Sequence, residues 1–187
     1  MNTSNNLNQV MNSLQPSFRS ILYRTIISHS VTYFVTGVVA SIFLGYATRM
    51  IRPDVAPIIR KLTDPILIAS PLFQPFRAAL LAIVFYLFRD VLFGNRKVWL
   101  IMWCLLVVLG ILTPFSAGWG GIEGMIFFNI PLWDHVVGWP EVFAQTLALS
   151  VILTYWVDHP QSKRLQAVLL VGFILTMLLP IVALIVA

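Results

Sequence analysis

The chain has 187 residues, 59% of them hydrophobic and 10% charged, with a mean hydropathy of +0.88. A soluble domain carries roughly 25% charged residues, so most of this surface must face lipid or other helices. The formal charge of +5 is no nucleic-acid footprint, because the basic residues sit at the ends of apolar runs, where they flank membrane spans.

Residues 1–24 are Asn/Ser-rich and lack the apolar core of a secretory signal peptide. They read as a polar, disordered cytosolic tail, and residues 25–187 as one transmembrane helical domain. The first span is expected over 25–46, about 33 Å as a helix and enough to cross the hydrocarbon core. His29, Thr32, Tyr33 and Thr36 share one sector of it and form a candidate polar lining for a solute path. Gly37, Ser41 and Gly45 recur every four residues along its edge. Small residues at that spacing allow close helix contact, with another membrane protein or a second copy of the chain.

Residues 47–74 form a broken connection. Prolines at 53, 57, 65 and 71 exclude a continuous helix. Arg49, Arg52, Arg60 and Lys61 interleave with isoleucines and leucines, as in a segment lying at the membrane surface or re-entering it. The second and third spans are expected over 75–93 and 98–112, joined by the basic turn Gly94-Asn95-Arg96-Lys97. Arg77 and Arg89 near the ends of the second span are candidate contacts for lipid head groups.

A Trp/Gly-rich loop then precedes the fourth span. It has no Lys or Arg between 116 and 138 but holds Glu123, Asp134 and His135, with Glu141 just beyond. These four residues carry atoms suited to a divalent metal or to acid–base work. The default reading is an interfacial loop anchored by Trp119, Trp133 and Trp139, its acids solvated. The fourth span is expected over 140–157, with Gln145 as a further polar candidate, and the fifth over 165–187.

The predicted fold is therefore an all-α integral membrane bundle of about five spans. With the N-terminus inside, the basic residues divide seven inside to five outside, a narrow margin for the positive-inside rule. A bacterial-type plasma membrane is the expected location. Cys104 is the only cysteine, which removes an intrachain disulfide and any CxxC site. No nucleophile elbow, His-Glu-x-x-His or phosphate-binding loop occurs. The expected function is non-enzymatic, exerted through contacts with lipids or other membrane proteins and without a cofactor. A small-solute transporter or channel along the polar face of the first span is the alternative. A membrane-embedded metal or haem protein, using His29 and His159 as weak ligand candidates, is a further one.

Overall fold

The computed structural model describes residues 15–94, 97–112 and 118–186, and every regular element among them is a helix. The expected tail mostly lies outside these residues, as do Asn95 and Arg96 of the basic turn, residues 113–117 and Ala187. In chain order the helices are α1 (Phe18–Phe43), α2 (Tyr46–Arg49), α3 (Pro65–Ile68), a 3-10 turn (Ser70–Phe73), α4 (Gln74–Leu87) and α5 (Arg89–Leu92). They continue with α6 (Val98–Leu112), α7 (Ile122–Phe127), α8 (Leu132–Val136), α9 (Trp139–Asp158) and α10 (Lys163–Val186). Four helical stretches are long and apolar enough to cross a membrane: Phe18–Phe43, Ser70–Leu87, Leu132–Asp158 and Lys163–Val186. Val98–Leu112 is apolar but shorter.

The first span begins earlier than expected, at Phe18 rather than residue 25. Ser17 caps it by accepting from the Ser20 amide. It ends at Phe43, before residue 46, because Gly45 takes a left-handed backbone (φ 64°) that turns the chain into α2.

The second span is not one helix from 75 to 93. It starts upstream and is broken twice. Asp64 caps α3 by accepting from the Ile66 amide, with Pro65 at its first position, and Pro71 and Pro75 then begin the 3-10 turn and α4. Each proline lacks an amide hydrogen and therefore fits a first turn but interrupts whatever precedes it. Phe88 departs from helical geometry between α4 and α5. The Gln74 side chain donates to the Ser70 carbonyl at 3.0 Å, tying α4 to the 3-10 turn before it.

α1 is the central element, packed by α4, α9 and α10. α4 lies antiparallel to it: Gln74 meets His29, and the Tyr86 ring meets Phe18 at 5.3 Å. The buried face of α4 is Gln74, Ala78, Ala82 and Phe85, one helical stripe whose alanines admit close approach. α9 also runs antiparallel to α1, with Trp156 against Tyr23 at one end and Glu141 bonded to Tyr46 at the other. α10 runs parallel to α1, where Gly172 leaves room for Val31. α6 closes against α9, and Ile21, Ala82, Phe85, Met102, Leu149 and Leu153 share one buried cluster between the helices. Outward faces such as Val168, Val171, Leu175 and Leu178 of α10 are exposed and apolar.

Candidate functional site

The end of the bundle opposite Phe18 carries the densest polar structure. There the basic connection after α2 folds onto the Trp/Gly-rich loop. Asp134 on α8 is buried, 3% exposed, and accepts from Arg49 Nη1 at 3.1 Å and from Arg52 Nη1 and Nη2 at 3.1 and 2.9 Å. Arg52 also pairs with Asp54. That hydrogen bond is the main reason the Asp54 carboxyl lies below, and the Arg52 guanidinium above, its ordinary range. Arg60 likewise holds Asp64 below its usual value. Thus Arg49, Arg52 and Arg60 all have acidic partners, which explains a basic segment at an otherwise aromatic end.

The loop is tied from within as well. Trp119 Nε1 donates to the Asp134 carbonyl at 3.1 Å, and Trp139 Nε1 to the Gly120 carbonyl at 2.7 Å. Gly124 permits this fold, because a Cβ there would stand 2.1 Å from the Gly118 carbonyl oxygen.

Two cavities adjoin this structure. One of about 420 Å³ lies between α1, α10 and the broken segment, bordered by Tyr33, Gly37, Ser41, Leu67, Ser70 and Pro180. The other, about 320 Å³, lies beneath the loop and is bordered by Arg49, Trp119, Asp134, His135, Trp139 and Gln145. Tyr46, Met50 and Glu141 border both. Tyr46 Oη donates to Glu141 Oε2 at 2.6 Å. Burial first, and then this carboxylate, push the Tyr46 phenol well above its ordinary value.

The candidates divide differently from their grouping in sequence. Of the loop set, Asp134, His135 and Glu141 border the loop cavity, Asp134 with its carboxylate spent on the arginine clamp, and Glu123 is outside. His135 is 1% exposed, and neither ring nitrogen has a hydrogen-bond partner among the described residues. Of the polar face, His29 Nε2 donates to Gln74 Oε1 at 3.2 Å and Tyr33 to Ser70 Oγ at 3.4 Å. Thr32 and Thr36 instead donate to carbonyls of their own helix, at 2.8 and 2.7 Å, so neither hydroxyl hydrogen points to a solute path. Gln145 borders the loop cavity and does not join them.

Gly37 and Ser41 border the larger cavity, where Gly37 also faces the Glu141 carboxylate of α9, while Gly45 serves as the turn after α1. Arg89 donates to Gln15 at 2.9 Å, approaches Asp90 at 3.7 Å and stacks on Tyr86. Arg77, one turn into α4, is exposed. His159 is exposed and stacked on Tyr155 at 4.3 Å, its Nδ1 donating to the Tyr155 carbonyl, whereas His29 is buried against Gln74. No group of three or more His, Cys, Asp or Glu side chains placed to hold a metal occurs among the described residues.

Gln74, Tyr46 and Trp119 were not singled out as site residues by sequence. Gln74 next to Pro75 was the one legible signal, an amide at a helix break. Comparison with protein-family models, curated proteins and solved structures finds no match.

Proposed function

We propose that this protein is a five-span membrane bundle, N-terminus inside a bacterial-type plasma membrane, that acts without catalysis by holding a lipid acyl chain. The observation that carries the reading is the groove of about 420 Å³ beside Gly37 and Ser41. Small residues on a helix face normally accept a neighbouring helix; these two border the groove, and a Cβ at Gly37 would meet only the Glu141 carboxylate of α9, at 3.6 Å. The remaining walls, including Phe34, Val38, Leu67, Leu179 and Ala183, match a hydrocarbon chain, and Glu141 and Tyr46 form a polar end.

The test is a native mass spectrum of the protein extracted in mild detergent and delipidated. We expect one retained lipid per chain, lost in Gly37→Leu, whose side chain enters the groove. A wild-type protein that retains no lipid overturns the reading, and a dimer in its place assigns the face to a second copy.

A second reading, passage of a small solute, is favoured by the broken helix and its polar relay His29–Gln74–Ser70–Tyr33. Discontinuous helices recur where membrane proteins bind or pass polar species. In proteoliposomes, a proton gradient should then decay faster than in empty vesicles and slow in His29→Leu. Equal decay with and without the protein removes proton passage.

A further inference from the structure

The loop cavity has features the acyl-chain groove does not need. Its lining charges are Arg49, Asp134 and Glu141. Arg49 and Asp134 pair with each other at 3.1 Å, leaving Glu141 as the carboxylate without a cationic partner among the lining groups. The Tyr46 hydroxyl donates to its Oε2 at 2.6 Å. Trp119, Trp139 and Tyr46 supply aromatic rings to the same wall, which suit a cation and disfavour an anion. His135 adds a buried imidazole with both nitrogens unpartnered among the described residues, and a buried polar group in that state is costly unless something binds it. In either neutral tautomer one of its nitrogens accepts a hydrogen bond.

A primary ammonium matches the chemistry of all of these groups. It carries a positive charge for Glu141, N–H donors for both Glu141 and a neutral His135, and a short apolar stem for Met50, Val137 and Val142. A quaternary ammonium would leave His135 without a donor. We propose that the cavity beneath the Trp/Gly-rich loop binds a protonated primary amine, held between Glu141 and His135. The amine belongs either to a free small molecule or to a lipid head group. The proposal stands whether or not the groove beside Gly37 holds an acyl chain.

The probe is butylammonium chloride, titrated into the full chain in detergent and followed by tryptophan fluorescence and calorimetry. Butanol and sodium butyrate of the same size serve as references. We expect saturable binding of butylammonium at least about tenfold tighter than of either reference, as a charge-assisted contact requires. The affinity should fall by a similar factor in Glu141→Gln and in His135→Leu. Equal response to butanol or butyrate in the wild-type protein overturns the proposal without reference to any variant. So does unchanged affinity in both variants when they elute and fold as the wild type does.

Vesicles holding equal phosphatidylethanolamine and phosphatidylcholine separate the two sources. Selective co-extraction of phosphatidylethanolamine, displaced by butylammonium and lost in Glu141→Gln, assigns a lipid head group. Butylammonium binding with no preference between these lipids assigns a free amine.

Discussion

Tyr46 and Glu141 are 95 residues apart in sequence and 2.6 Å apart at their oxygens. Tyr46→Phe leaves the carboxylate without its donor, and we expect a loss of about 1–3 kcal/mol at neutral pH. The phenol's folded value is raised above the ordinary 10.0. Its contribution is therefore complete below pH 10 and is lost as the pH rises further, because the unfolded chain ionises first. Thermal unfolding in detergent from pH 7 to 11 should show the wild type losing its advantage over Tyr46→Phe at the alkaline end. A constant gap, or none at pH 7, refutes this account of the bond. Such pairs were illegible in sequence for a plain reason. Glu141 could be placed in a first helical turn, but nothing local names a partner on another helix. The same holds for Asp134, which reads as a solvated loop acid until Arg49 and Arg52 arrive from 85 and 82 residues away.

At the scale of the element, the long helices were legible and the joints were not. Apolar runs must be helical in lipid, since no water is present to satisfy an open backbone. Val98–Leu112, Trp139–Asp158 and Lys163–Val186 accordingly lie within two residues of expectation at the bounds described. The break at 65–75 is written in prolines, yet those prolines fit a surface segment as well as a descending one. In the fold, Gln74 at the end of this segment meets His29 of α1. Helical periodicity likewise showed that Gly37 and Ser41 share a face, without saying what stands opposite. For the loop, packing is tightest at Gly124, where backbone rather than side chain is the obstacle. Gly124→Ala should open the turn at residues 118–124 and free Trp119 from the Asp134 carbonyl. We expect a cost of about 1–3 kcal/mol and a red-shifted tryptophan emission. An unchanged melting temperature and spectrum would show that the turn yields freely.

For the whole molecule, the two ends differ in chemistry. Arg24, Arg89, Asp158 and Gly94 gather about one end; the arginine clamp, the tryptophans and both cavities' shared Tyr46–Glu141 pair mark the other. The polarity proposed above gives a labelling pattern. With Cys104 replaced by Ala, Gln161→Cys should react only with reagent on the inner side and Thr63→Cys only with reagent on the outer side. A reversed pattern overturns the orientation alone. Both sites on one side overturn the five-crossing path as well.

The central place of α1 bears on how the protein is made. Among the described helices it leaves the ribosome first, and it is the one that α4, α9 and α10 later cover. It enters lipid with Thr25, Ser28, His29 and Ser30 uncovered, all of which end below one tenth exposed. A newly inserted α1 would thus expose this polar stripe until later helices cover it, and of these four side chains His29 gains a hydrogen bond from a later helix, to Gln74. On insertion in chain order, each later hairpin would add to α1 as a template, and a pause in translation after α1 would leave that stripe open to any other helix nearby.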